Sequence, residues 1–482
     1  MEALEDLLRD SLFQGVAAAI GLLVIILGIV AFPVRWWWNR RNSPSASRQD
    51  IARLEQKVVT APELQKALQQ LKDELKEEIP QVFNHMFAVA RDSTATLVQQ
   101  LPPDRTELLR KATEAQSQAR YREAIELLKQ CDYPDMPAGE RATLHLLVGN
   151  SYLYLGEAPS AEPEYAEALA AARQVGNRDT QAAALGNLGL VYASRGELDD
   201  AEKQHKQSLE INREIGNRQG EASALGNLGL VYAGRGELDR AEKQHKQSLE
   251  INREIGNRQG EANQLGNLGL VYADRGELEK AEEHYRAVLN IQRDIGDRLG
   301  ESNTLGNLGN VYYHRGELEK AEEHHKKALE IDRDIGSRLG EAQDLGNLGN
   351  VYLQRRELEK AEEHFKNSLA IHREIGNRLG EAIQLGNLGN GYYHRGELDK
   401  AEGHYKNGLE THRQIGNRLG EAQILGNLGL LYADGGDIGK ARKHLQQAQA
   451  IYQEIGAGGP NVENLRGALE KLERQERGEE QA

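Results

Sequence analysis

Apolar residues in this chain fall into three patterns. From Leu12 to Val34 the run "LFQGVAAAIGLLVIILGIVAFPV" carries no charge. As a helix it would be about 34 Å long at ~1.5 Å per residue, enough for a hydrocarbon core of about 30 Å. From Ile51 onward, Ile51, Leu54 and Val58, then Leu64, Leu68, Leu71 and Leu75, recur at three- and four-residue steps with charges between them. That spacing predicts an amphipathic helix. Beyond Asp104 the helical spacing is locked into a period. Gly189, Gly229, Gly269, Gly309, Gly349, Gly389 and Gly429 recur every 40 residues, and the register reaches back to Gly149. A period of this length signals stacked helical units, not a set of separate domains.

These patterns divide the chain. Residues 1–11 are a short extracytoplasmic N-terminus and 12–34 a transmembrane helix. Residues 35–50 form a basic, Trp-rich interface and linker, with Trp36, Trp37 and Trp38 beside Arg35, Arg40, Arg41 and Arg48. Basic residues flank the cytoplasmic end of a span, so the remainder of the chain is expected in the cytoplasm. A secretory signal is the weaker reading, because the apolar run is long and no small-residue cleavage site follows. Residues 51–103 read as amphipathic helices, interrupted at Pro62 and restarted near Pro80. With fewer than four clean heptads they offer a short coiled coil and a route to homo-oligomerisation through 51–100. Residues 104–138 form a divergent helical pair, 139–458 eight units of 40 residues, and 459–482 a capping helix and tail. Divergent ends suit an array whose last unit has one face without a neighbour.

One unit shows the physics: "EASALGNLGLVYAGRGELDRAEKQHKQSLEINREIGNRQG". Leu225, Leu228 and Tyr232 make the stripe of a first helix, and "GRGEL" ends it, with Gly236 suited to a C-cap. Leu238, Ala241, His245, Leu249 and Ile251 make the stripe of a second helix. Gly229 and Ala241 are small where the two helices must approach. The Glu-rich phrase "GELEKAEEH" reads as a helix start followed by a solvated face. Leu225, Leu228-Gly229, Tyr232 and Ala241 resemble the tetratricopeptide repeat, which sets a large apolar residue, Leu-Gly, Tyr and a second-helix Ala at these offsets. The 40-residue period and the missing terminal Pro are similar to the longer variant of kinesin light chain and the Leu-Gly-Asn (Pins-type) adaptors. The resemblance implies an all-α fold, a right-handed α-solenoid of helix pairs. For function it implies protein or peptide binding.

Comparison of the chain with itself separates scaffold from site. Seven units repeat Leu-Gly-Asn-Leu-Gly with Tyr three positions later, so their apolar and Gly columns are packing. The Asn column (Asn187, Asn227, Asn267, Asn307, Asn347, Asn387, Asn427) is less easily explained, because Asn is a mediocre helix former. By the resemblance, this column and the one three residues later face a concave groove. The later column reads Leu190, Leu230 and Leu270, then Asn310, Asn350 and Asn390, then Leu430. Beside it, Ala193, Ala233 and Ala273 give way to Tyr313, Leu353 and Tyr393, followed by His314, Gln354 and His394. Side-chain amides donate and accept at once and can grip an extended backbone, while aromatic neighbours supply contact area. Asn307, Asn310, Tyr313, His314, Asn347, Asn350, Gln354, Asn387, Asn390, Tyr393 and His394 are therefore the expected peptide-binding residues. The competing reading has the Asn columns bridging neighbouring helices.

Composition narrows the remaining classes. A net charge of −15 disfavours nucleic acid as the main partner, since phosphate binding needs a concentrated basic face. The single cysteine, Cys131, excludes an intrachain disulfide and a Cys-rich metal site. His284, His324, His364, His404 and His444 recur one per unit, too few on one face for a metal centre, while His205, His245 and His325 share a helix-B column with Tyr285, Phe365 and Tyr405, which marks that column as packing. "GNRLG" lacks the Gly-Lys-Ser/Thr ending of a phosphate loop. No cofactor and no enzyme activity are expected. The favoured reading is a membrane-anchored scaffold that binds a cytoplasmic protein or peptide. The second is a regulatory sensor in which partner binding is passed to the juxtamembrane helices.

Overall fold

A computed structural model describes residues 103–455 and 460–476. The segments expected over 1–102, including the membrane span at 12–34 and the self-association stripe, lie outside the described residues. Among those described, no helix is long and apolar enough to cross a membrane.

The described residues are helical throughout, with short turns between. A leading pair, α1 (Pro103–Ser117) and α2 (Tyr121–Cys131), is followed by α3 (Ala138–Tyr154), α4 (Ala158–Gln174), α5 (Arg178–Ser194), α6 (Leu198–Glu214), α7 (Arg218–Gly234), α8 (Leu238–Glu254), α9 (Arg258–Asp274) and α10 (Leu278–Ile295). The second half carries α11 (Arg298–His314), α12 (Leu318–Asp334), α13 (Arg338–Gln354), α14 (Leu358–Glu374), α15 (Arg378–His394), α16 (Leu398–Gln414), α17 (Arg418–Asp434), α18 (Ile438–Glu454) and the capping helix α19 (Pro460–Glu476). The odd-numbered helices from α3 to α17 are the first helices of the eight units, called A, and the even-numbered ones the second, called B. The chain divides into two compact units, one ending at Thr304 and one beginning at Leu305. Within each, an A helix packs on its own B helix, and that B helix packs on the following A helix.

The turns form for the reasons the sequence suggests. Gly236 closes α7 at φ 74°, a left-handed conformation that glycine adopts without a Cβ clash. The return turn ends on Asn257, whose side chain accepts the Gly260 amide 2.9 Å away and caps α9. Packing then buries each A helix on nearly every side. In α7, Ala222, Leu225, Leu228, Val231 and Tyr232 are all buried, and so are Ala241, Leu249 and Ile251 of α8.

The invariant helical glycines have a specific task. A Cβ on Gly229 would lie 2.5 Å from the ring of His245, and one on Gly349 2.4 Å from the ring of Phe365. Each seats a large B-helix side chain against the A backbone. The B-helix histidines His205, His245 and His325 are buried accordingly, as their packing role predicts.

The Glu-rich phrase starts the B helices that carry it and keeps acids such as Glu319 and Glu323 exposed, as expected, but one position departs. Glu202, Glu242, Glu322, Glu362 and Glu402 do not stand on a solvated face; they are only partly exposed, on the face toward the following unit. The fixed Tyr of that unit donates its hydroxyl to each one, as Tyr232 does to Glu202 at 2.8 Å and Tyr352 to Glu322 at 2.7 Å. Burial pushes the Glu202 carboxyl up, but hydrogen bonds from Lys206, Arg235 and Tyr232 outweigh it and hold the pKa at about 2. The repeated Tyr is thus apolar packing along its ring and an inter-unit bond at its tip.

Candidate functional site

Burial leaves one line of each A helix open to solvent. On α7 it runs through Ser223, Asn227, Leu230 and Gly234, at steps of four, three and four residues. Both sequence-predicted columns lie on this line because every other face is packed. In the first unit the open line carries Ser194, Ser223, Asn263 and Asp274 beside the invariant Asn, and Leu230 and Leu270 are among the chain's exposed large apolar residues. In the second unit it reads Asn307, Asn310 and His314 on α11, Gln343, Asn347, Asn350 and Gln354 on α13, and Ile383, Asn387, Asn390 and His394 on α15. Asn310, His314, Gln354 and His394 are exposed, and the other predicted residues, Tyr313 and Tyr393 included, are partly buried.

The Asn residues divide into two kinds. Asn390 is committed internally: its Oδ1 accepts the Tyr405 hydroxyl at 2.6 Å and the Asn427 amide at 3.3 Å. Asn150, on the equivalent position of α3, does the same with Tyr165 and Asn187 at 2.9 and 2.8 Å. Where a B-helix Tyr faces an A-helix Asn, the bridging role is therefore real. Asn310 and Asn350 face His325 and Phe365 in that column instead, and neither makes a hydrogen bond among the described residues. Their amides are open. Asn387 bonds only within its own helix, to Gln384 at 3.3 Å.

Aromatic and basic groups gather at the C-terminal ends of these A helices. The rings of Tyr313 and His314 meet edge to face with centroids 5.6 Å apart. Tyr393 donates its hydroxyl to Asp434. Arg356 donates to Nδ1 of His394 at 3.1 Å. Burial first, and the Arg356 charge second, keep the His394 pKa below its ordinary value. Near the end of the array, Ile383, Asn387, Asn390, Gln423, Asn427, Leu430 and Leu465 help line a cavity of about 330 Å³. Its walls mix apolar side chains with amides, the composition of a site that seats one side chain and orients its backbone.

Four of the five histidines in the repeating column are accounted for locally, and the fifth, His404, stacks on Tyr392 at 5.1 Å. His284, His324, His364 and His444 each place Nδ1 within 2.9 Å of the carbonyl four residues earlier and lie against the preceding helix's Tyr, with ring centroids 4.8–5.1 Å apart. The sequence reading missed one polar cluster. His325, Asp332 and Asp344 are all buried, with Nδ1 of His325 3.3 Å from Oδ1 of Asp344. Burial pushes the Asp344 carboxyl up to about 8 and the His325 ring down to about 4. The signal was present: no other repeat has an acid in either of those columns.

A family model for the tetratricopeptide repeat matches seven overlapping windows: 140–214, 180–254, 220–294, 260–334, 300–374, 340–406 and 380–454. No curated protein sequence matches the chain. Among solved structures, the apo form of the quorum sensor NprR from B. thuringiensis superposes with a TM-score of 0.55. It is 16% identical over 72% of this chain and 97% of that one. BtubC (BKLC) from P. vanneervenii is 23% identical over 46% of this chain and 94% of its own, with a TM-score of 0.41. At these identities the likeness to NprR shows the fold alone.

Proposed function

Because the chain belongs to the tetratricopeptide-repeat family, we propose that it is a scaffold whose second unit binds an extended protein or peptide segment along the open lines of α11, α13 and α15. One observation carries this reading. Over the repeated Leu and Gly columns, Asn310 and Asn350 present unpaired amides to solvent at positions that are leucine in three neighbouring repeats. An amide in that state offers both a donor and an acceptor to a passing backbone. Tyr313, His314, Gln354, Tyr393 and His394 flank the amides and would choose among side chains. No step in this function requires a catalytic group or a cofactor.

The charge-free run at 12–34 and the Arg and Trp residues after it support tethering to a membrane, with the repeats on the cytoplasmic side. Protease added outside intact cells should then spare the repeats and remove a tag placed before Leu12. Cleavage of the repeats would reverse the orientation. The binding surface itself is tested by a photoreactive side chain at Gln343, on the open line, compared with one at Glu330, on the exposed outer face of α12. Crosslinking to a discrete partner from position 343 alone supports the reading. Equal crosslinking from both positions sinks it.

A further inference from the structure

Seven of the eight turns that join an A helix to its B helix are closed by a glycine in the left-handed region: Gly156, Gly196, Gly236, Gly276, Gly316, Gly396 and Gly436, at φ 74–79°. The eighth is closed by Arg356 at φ 63°. A residue with a Cβ adopts this conformation only at a cost, and such costs collect at functional positions. The arginines around it are spent on neighbouring carboxylates: Arg355 on Glu322, Arg395 on Glu362, and Arg373 and Arg378 on Glu381. Arg356 meets no carboxylate among the described residues. Its one side-chain bond is to the ring of His394, which positions the guanidinium without neutralising it. The remaining N–H donors of the fork are left for something else.

We propose that Arg356, oriented by His394, receives a side-chain carboxylate of the segment bound along α13 and α15. This deepens the binding reading above and rests on it for the rest of the segment. His394 is the last residue of the α15 open line, one helical turn beyond Asn390, which lines the 330 Å³ cavity with Ile383, Leu430 and Leu465. Residues one turn apart on a helix are about 6 Å apart, and alternate side chains of an extended chain are spaced by about 6.6 Å. The proposed segment carries an Asp or Glu close in sequence to the apolar side chain seated in the cavity, and a separation of two residues is the spacing tested. Asp434, held by Tyr393 on the following unit, opposes a second acid on that side.

The test uses two probes and the variant Arg356→Gly, which copies the seven other turns and so should keep or raise the melting temperature. The first probe is blocked glutamate (N-acetyl, C-amide), with blocked glutamine as control. Its titration should move the Arg356 side-chain Nε resonance to saturation, and the control should not. The second is a set of dodecapeptide pools with leucine fixed and glutamate or glutamine placed two residues away. Glutamate pools should be retained about tenfold better by the wild-type protein, in the range of one charge-assisted bond, and equally by Arg356→Gly. A glutamate titration no different from glutamine, or an unchanged glutamate preference in a folded Arg356→Gly, overturns the assignment. Saturation by glutamate with no pool retained would uphold the carboxylate site and sink the peptide groove, so the two readings fail separately.

Discussion

The two units are built on one framework and present different chemistry on it. In the first, after Asn150 on α3, the open line of the A helices shows Leu190, Leu230 and Leu270 with Ala193, Ala233 and Ala273 beside them. In the second, Asn310, Asn350 and Asn390 stand at those positions, with Tyr313, Leu353 and Tyr393, before Leu430 and Ala433 return on α17. Beneath them the glycine seat is kept: Gly189 seats His205 as Gly309 seats His325. The glycine seat is repeated, while an open column is free to vary. The comparison teaches where a binding surface is to be sought: at solvent-open positions whose chemistry changes over a repeated seat.

The largest expected effect tests whether the framework is shared. Gly189→Leu and Gly309→Leu both drive a side chain into a histidine ring that a Cβ alone would approach within 2.4 and 2.6 Å. Each should cost about 3 kcal/mol by overpacking, measured by chemical denaturation. Hydrogen exchange should rise in the altered repeat and its neighbours before distant ones. A large difference between the two costs, or uniform loss of protection along the array, would break the common framework.

The next effect belongs to the second unit alone. Asp344, facing His325 and Asp332 from α13, holds its proton to about pH 8 in the folded chain because it is buried. Unfolded, it loses that proton near its ordinary pKa of about 4. The native state binds the extra proton, so the Asp344 contribution to stability falls as pH rises between those values, opposed below about pH 6.5 by His325, whose ring burial holds at a native pKa of about 4. Asp344→Asn should flatten the decline and stabilise the protein at pH 8 by an amount on the order of 2 kcal/mol. Parallel pH–stability curves for variant and wild type would contradict the assignment.

Much of this molecule is legible in its sequence, and the part that is not has a common cause. The helix pairs, the capping glycines and the open column follow from a period of 40 residues and from 3.6-residue spacing, both one-dimensional. What escapes is pairing between units. Glu202 looks like a solvated charge until Tyr232, thirty residues on, is seen to donate to it. Asn390 looks like Asn310 until Tyr405 is read with it. Arg356 was visible as the break in a glycine column, but its bond to His394 spans neighbouring repeats.

That distinction makes the smaller predictions. Asn390→Leu leaves the Tyr405 hydroxyl and the Asn427 amide without their acceptor and should cost about 1–2 kcal/mol. Asn310→Leu removes no internal bond and should change stability by about 0.5 kcal/mol or less. Equal costs for the two substitutions, measured by denaturant unfolding, would erase the division between bridging and open amides.

The double substitution Asn310→Leu/Asn350→Leu tests the central claim most directly, because it puts the first unit's leucine at the two positions with open amides. Crosslinking of the partner from Gln343 and the unfolding midpoint are measured on the same protein. The expected result is an unchanged midpoint with crosslinking reduced about tenfold or more, the loss of two amide contacts. Full crosslinking in a folded double variant would contradict the account.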